Sequence, residues 1–279
     1  MKVRDLTTID ECRRVVELEK LVWGYTDAED VVPIPILIVT VKRGGVLIGA
    51  FDDSETMVGF VYSLPGLKNG KPMQWSHMLG VLDGYRNSGL GHVLKLEQRT
   101  RTLAMGLDLI EWTFDPLQAL NAHLNFRKLG IIVEEYEENI YGDSSSPLHR
   151  GSPTDRFVAQ WLIASPHVAH LIAPARQPVV PVTRTSEPAL INTTRRIGEW
   201  RSCESVDLTR AEPRLWVEIP TGFTELQAKD PNLARSWRFA TREIFTTYFG
   251  RGYHAVDFTL DRENRRGRYL LVEQPETAA

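Results

Sequence analysis

The chain has 279 residues, 42% of them apolar and 25% charged, with 33 Lys and Arg against 36 Asp and Glu for a net charge of -3. That length suits two domains, and the apolar share supports a sizeable core. The near-neutral balance, with no dense Lys/Arg block, argues against a nucleic-acid footprint, and the longest apolar run, residues 31–41, is interrupted by Pro33 and Pro35 and is too short for a membrane span.

Lys2 to Leu6 alternates and predicts a short strand. From Thr8 to Val22 the apolar residues fall largely on one helical face, with Thr8 and Glu11 spaced as a capping box and Gly24 as terminator. Residues 35–43 carry two signals: their β-branched residues favour a strand, whereas the prolines at the start and Gly44-Gly45 at the end favour a helix. Val46–Phe51 and Met57–Tyr62 predict strands joined by a polar turn, Asn69-Gly70 marks another turn, and Met73–Leu82 predicts the next strand. Leu90–Met105 reads as an amphipathic helix, Leu109–Phe114 as a strand, and Leu117–Leu129 as a helix stopped by Gly130. Ile131–Tyr141 and Arg156–Ile163 read as strands. The order predicts an α/β fold in the broad sense, a mixed sheet with helices on both faces. Pro174, Pro178, Pro181 and Pro188 mark a linker. Beyond it, Leu215–Ile219, His254–Leu260 and Arg268–Glu273 predict strands, and Asn232–Phe249 a helix. The expected division is a domain over 1–165, a Pro-rich connecting segment over 166–210 and a smaller C-terminal domain over 211–279.

The segment with chemical content is a strand, a loop and a helix: His77–Val81, then Arg86-Asn87-Ser88-Gly89-Leu90-Gly91, where the helix opens. A helix N-terminus presents unpaired N–H groups and a partial positive charge, which suits a pyrophosphate. Glycines let the backbone approach the phosphate oxygens, and Arg86 adds a permanent positive charge. A GxxxxGK[ST] loop is excluded, since no Gly-Lys-Ser/Thr occurs here. A dinucleotide fingerprint needs a small residue where Leu94 stands. The chain has no GxSxG, and its histidines show no HExxH or other ligand spacing, so neither a serine hydrolase nor a metal site is expected. Cys12 and Cys203 are too few for a disulfide framework and read as reduced thiols; with no apolar leader after Met1, a cytoplasmic location is expected.

The run Val81-Leu82-Asp83-Gly84-Tyr85-Arg86-Asn87-Ser88-Gly89-Leu90-Gly91 resembles the signature of the GNAT superfamily of acyl-CoA N-acyltransferases, in which a valine ends the fourth strand before an R/Q-x-x-G-x-G/A loop. The element order over residues 2–163 is similar, as is the Lys128-Leu129-Gly130 ending of the later helix. Ser76–Val81, Trp112–Leu117 and Pro153–Phe157 resemble a group of predicted members with an added C-terminal part. The resemblance implies acyl-CoA, most simply acetyl-CoA, as co-substrate without a metal, and a small-molecule amine, such as an amino acid, as acceptor. Neither nucleic acid nor membrane is implied as a partner. It places the cofactor at Leu79, Val81, Arg86, Asn87, Ser88, Gly89, Leu90, Gly91 and Asn125.

Many members carry a tyrosine that protonates the departing thiolate where this chain has Phe126; Tyr136 and Tyr141 are the candidates to replace it, or ordinary strand aromatics. His77 is the best-placed base for the amine, unless a neighbouring hydroxyl or carbonyl satisfies it; alternation puts it on a face with Trp75, Leu79 and Val81, with Ser76 opposite. Arg156 is a candidate clamp for an acceptor carboxylate, with pairing to Asp155 or another carboxylate as the alternative. Glu19 and Trp23 lie near a helix end that lines the acceptor cleft in the resembling family. The missing tyrosine keeps a second reading open, a non-catalytic CoA-binding sensor or interaction module.

Gly106–Asp115 and Gly252–Asp261 share a pattern: glycine, an apolar strand with an acidic residue before an aromatic, then threonine, an apolar residue and aspartate. Each follows a long helix that follows an apolar strand, which reads as a degenerate second copy of a strand–helix–strand unit. That copy lacks R-x-x-G-x-G and is not expected to bind CoA.

Overall fold

The computed structural model describes residues 1–27, 30–142, 152–173 and 187–273. They form two compact units, one from Met1–Trp112 and Leu162–Ala164, the other from Thr113–Gly142, Ser152–Trp161 and the residues from Ser165 on. No helix among the described residues is long and apolar enough to cross a membrane.

The first unit runs β1 (Lys2–Asp5), α1 (Ile9–Trp23), α2 (Ile34–Lys42), β2 (Val46–Phe51), β3 (Met57–Lys68), β4 (Lys71–Val81), α3 (Leu90–Ala104) and β5 (Leu109–Phe114), whose last two residues count with the second unit. Its strands lie in the order β1-β2-β3-β4-β5; the first four pair antiparallel, and β4 runs parallel to β5. The capping box at Thr8 forms with both bonds, and Gly24 ends α1 in the left-handed region. The two-signal segment is helical. Leu37 is buried while Ile34, Ile38 and Val41 pack half-buried against the same core, a helical spacing that a strand could not bury on one side. β3 and β4 form a longer hairpin than the sequence suggests, turning at Asn69 and Gly70, both at positive φ as a tight two-residue turn requires. Leu18 and Leu37 join Phe60, Tyr62 and Met78 in one core, and Leu90 and Leu94 of α3 join Val58, Val61 and Val81 in another.

The second unit holds α4 (Ala119–His123), which continues as a π-helical segment over Leu124–Leu129, then β6 (Ile132–Glu137), β7 (Arg156–Leu162), α5 (Pro166–Ile172), β8 (Ala189–Leu190), β9 (Asn192–Ile197), β10 (Trp200–Val206), β11 (Arg214–Pro220), α6 (Phe223–Lys229), α7 (Pro231–Gly250), β12 (Tyr253–Asp261) and β13 (Arg266–Glu273). Its strand order is β7-β6-β12-β13-β11-β8, with β9 and β10 as a separate hairpin. The division into compact units falls within β5. The expected connecting segment 166–210 also carries structure, namely α5 and three strands. Pro174, Pro178 and Pro181 lie outside the described residues. β9 and β10 escape the sequence because they bury only Asn192, Trp200 and Ser202, which leaves no apolar alternation to read.

The strand–helix–strand resemblance holds in element order and fails in pairing. β4 and β5 are parallel neighbours, whereas β13 lies between β11 and β12 and is antiparallel to both. The reason is the turn after Asp261, which folds β13 back onto β12 and leaves its other edge for β11. Between β11 and α7 the second segment inserts α6, which has no counterpart between β4 and α3.

Buried ion pairs give Asp115 and Asp155, in the segments Trp112–Leu117 and Pro153–Phe157, a structural role. Asp115 accepts two bonds from Arg238 of α7 at 2.8 and 2.6 Å. Asp155 accepts two from Arg242 at 2.8 and 2.7 Å and one from the Tyr136 hydroxyl at 2.7 Å. These forks hold α7 beside a core of Phe157, Phe245, Tyr269 and Phe126.

Candidate functional site

The site begins where β4 stops being regular. In its pairing with β3, Tyr62 faces Met78 and Ser63 faces Ser76, so His77 is an extra residue, a β-bulge. A bulge shifts alternation by one. Leu79 and Val81 pack with Leu90 and Leu94 of α3, while the exposed His77 ring stands edge-on to Tyr62, 6.1 Å between centroids, and Tyr62 belongs to the core under α1 and α2. The expected common face for His77, Leu79 and Val81 is therefore wrong, because strict alternation cannot anticipate an inserted residue. His77 keeps an exposed surface, yet burial of its surroundings pushes its pKa down, which favours the neutral imidazole at neutral pH.

β4 pairs with β5 only at Gln74 opposite Ile110 and Trp75 opposite Glu111. Past the bulge, among the described residues, β4 has no further ladder with β5, so its edge over His77–Val81 is not paired with that strand. The aromatic wall beside it comes from Trp23, which stacks on Tyr25 and meets Phe60 edge-on. Gly80 makes room for both rings: a Cβ there would stand 2.9 Å from Phe60 and 3.1 Å from Trp23. Glu19 is fully buried nearby. Its Oε2 accepts the Val32 N–H at 2.9 Å, its Oε1 has no partner, and burial raises its pKa to about 7.

After Val81, a 3-10 turn over Asp83–Tyr85 leads into the glycine loop. The Tyr85 hydroxyl donates to Asp52 at 3.0 Å and Ser88 Oγ donates to the Tyr85 carbonyl at 2.7 Å, which fixes the loop against the β2–β3 turn. Arg86 donates through Nε to the Val81 carbonyl at 3.2 Å and pairs with Asp83 at 2.7 Å. Asn87 and Gly89 both adopt positive φ, and Gly89 caps α3 without any side-chain bond. The helical ladder begins with the Val93 N–H donating to the Gly89 carbonyl at 3.1 Å, so the N–H groups of Leu90 and Gly91 precede it with no N-cap side chain to cap them. Gly91 faces Leu79, where a Cβ would lie 3.4 Å from Cδ2. An uncapped helix start flanked by a guanidinium is a ready anion cradle. Leu79, Val81 and Arg86–Gly91 all lie in the first unit, with Val81 and Leu90 buried in its core.

Sequence reasoning missed Lys95. It is buried on α3, its Nζ donates to Ser76 Oγ at 2.8 Å and Gln98 Oε1 at 3.2 Å, and it lies 3.7 Å from the Trp112 ring centroid. Burial without a carboxylate partner pushes its pKa well down. The amine ties β4 to α3 one residue before the bulge. A lysine within an amphipathic helix carries no sequence mark of such burial.

Other predicted residues fall in the second unit. Asn125 is buried on the π-helical segment, and Phe126 is core, edge-on to Phe114 and Tyr269. Tyr136 is committed to Asp155, and burial pushes its pKa far up, so it is a poor proton donor. The Tyr141 hydroxyl is shared with Thr113 Oγ1 at 2.6 Å. Arg156 donates to the Asp155 backbone carbonyl at 2.9 Å, while the Asp155 carboxylate goes to Arg242. Among the described residues no group of three or more His, Cys, Asp or Glu side chains could hold a metal ion.

No protein-family model and no curated protein matches the sequence. Solved structures resemble the chain in fold. A putative acetyltransferase from Acinetobacter baylyi ADP1 is 15% identical over 63% of this chain and 96% of its own, with a TM-score of 0.48. The ribosomal-protein-S18-alanine N-acetyltransferase from Escherichia coli is 13% identical over 58% of this chain and 93% of its own, with a TM-score of 0.46. An acetyltransferase of the GNAT family from Streptococcus pneumoniae is 17% identical over 57% of this chain and 97% of its own, also with a TM-score of 0.46.

Proposed function

We propose that the first unit binds an acyl-CoA and transfers its acyl group to the amine of a small molecule, with an amino acid as the favoured acceptor class. The observation that carries the reading is the joining of two features in one unit: the uncapped start of α3 at Gly89–Gly91 and the edge of β4 over His77–Val81 that is not paired with β5. The first suits a pyrophosphate and the second an extended amide-bearing arm, which can add to a strand edge through backbone hydrogen bonds. Ser88–Gly91 and Arg86 hold the phosphates, and the backbone along Leu79 and Val81 holds the arm.

His77 takes the proton of the attacking ammonium, directly or through a water. The freed amine forms the C–N bond at the thioester carbonyl, the nitrogen gives its second proton to water or to the departing sulfur, the C–S bond breaks, and CoA leaves as thiolate or thiol. A backbone N–H near Leu79 to Val81 polarises the carbonyl oxygen. A thiol with a pKa of about 8.5 is a tolerable leaving group, so the absence of a tyrosine at Phe126 is compatible with turnover. A thiol-release assay with acetyl-CoA and a panel of amino acids tests the reading. Release above background with one acceptor supports it. CoA binding without release for any amine would favour the sensor reading instead.

A further inference from the structure

The turn between β12 and β13 holds two arginines in unlike states. Asp261 organises the turn by accepting from the Asn264 N–H at 3.0 Å and from the Asn264 amide at 2.8 Å. Arg265 then sits at φ 51, a left-handed conformation that ordinarily selects glycine or asparagine. Its carbonyl accepts the Thr221 N–H at 3.2 Å, and its guanidinium lies 4.8 Å over the Trp200 ring and only within 4.0 Å of Glu225. Arg262 accepts the Arg265 N–H through its carbonyl at 3.3 Å, while its side chain is exposed and has no hydrogen bond or ion pair among the described residues.

Both arginines line a cavity of 530 Å³ that belongs wholly to the second unit, a volume in the range of small-molecule sites. Phe223 and Leu260 give it apolar walls, and Leu120, itself 60% exposed, extends them. Gly222 keeps the floor open: a Cβ there would stand 3.5 Å from Trp200 and 3.6 Å from Arg265. Gln118 and Thr224, also on the wall, hydrogen-bond each other at 3.0 Å.

We infer that this cavity is a binding site for a small monocarboxylate with an apolar body. The charged lining residues are Arg262, Arg265 and Glu225, and Glu225 is already paired with Lys229 at 2.8 Å, so the wall is net positive and attracts an anion. A phosphate would leave the apolar walls without a partner and would also face the Glu225 carboxylate, ionised beside Lys229 at 2.8 Å. The planar guanidinium forks match a carboxylate, and the apolar walls take the body. The field on this side of α4 is positive: His123 is pushed toward its neutral form by burial and then by Lys128, Arg127 and Arg262. The site is independent of the acyl-transfer reading.

Calorimetric titration of the full chain with hydrocinnamate, its alcohol analogue and inorganic phosphate tests the assignment. Hydrocinnamate should bind, with the alcohol and phosphate each about tenfold weaker or worse. Arg265→Gly relieves the left-handed strain and Arg262→Gln touches no internal partner, so both variants should melt no lower than the parent chain. Each should weaken hydrocinnamate about tenfold, and the double variant should abolish binding. Glu225→Gln should tighten it a few-fold. Hydrocinnamate binding unchanged in the double variant, no hydrocinnamate binding at all, or phosphate binding at least as tightly would overturn the inference.

Discussion

Gly91→Ala separates the anion cradle from the fold. Gly91 has no positive φ, and the new methyl would sit 3.4 Å from Leu79 Cδ2, at the near limit of ordinary contact and against the movable end of a side chain. Alanine also favours the helix over glycine by about 0.5–1 kcal/mol, so α3 should be no less stable. The methyl instead occupies the approach to the N–H groups of Leu90 and Gly91. Losing one hydrogen bond to a charged phosphate costs about 1.5–3 kcal/mol, or about 10- to 150-fold in Kd. Gly91→Glu adds an anion at the same place and should go further. Gly89 is a less clean probe because its φ of 87 makes any side chain there strained. Calorimetric titration with CoA, run beside a thermal melt, reads both effects. If Gly91→Ala and Gly91→Glu both bind CoA with parental affinity while α3 stays folded, the phosphates do not sit at this helix start.

Three further outcomes are expected. His77→Ala should lower turnover about a hundredfold with CoA affinity nearly intact. Because burial lowers the His77 pKa below the usual 6.5, the acid limb of turnover should fall below that pH, and a limb at or above it would assign the titration to another group. Glu19 has a folded pKa of about 7, raised above the usual 4.5, so the stability it contributes is full in acid and is lost as pH rises through that interval. Glu19→Gln should abolish that loss, worth up to about 3 kcal/mol by pH 8 in urea unfolding, and an unchanged pH profile would refute the buried ionisation. Arg238→Met should cost about 3–5 kcal/mol by stranding Asp115, and adding Asp115→Leu should recover much of it. Since Arg238 holds Asp115 below its usual 3.8, that cost should shrink as pH falls through the lowered value; a cost constant into strong acid would contradict the pairing.

Interactions that close within a few residues were legible from the sequence. The Thr8–Glu11 capping box, the Asn69-Gly70 turn, the helix opening at Leu90 and the stop at Gly130 each depend on neighbours that the sequence places side by side. The glycine loop could be read for the same reason, since an uncapped helix start is a local object. The helix expected over Asn232–Phe249 was legible too and forms as α7, Pro231–Gly250.

Tertiary structure alone decided the rest, because each remaining feature depends on a partner far along the chain. His77 becomes a bulge only when β4 is matched residue by residue against β3, and that match moves it to the face opposite Leu79 and Val81. Lys95 is a surface residue by type and a buried one by position, since Ser76, Gln98 and Trp112 close over it. Asp115 and Asp155 look like loop carboxylates until Arg238 and Arg242 arrive from more than eighty residues away. The second strand–helix–strand segment repeats the local pattern of the first, but pairing is not a local property: β13 folds back between β11 and β12, and a shared sequence pattern ends as a different sheet.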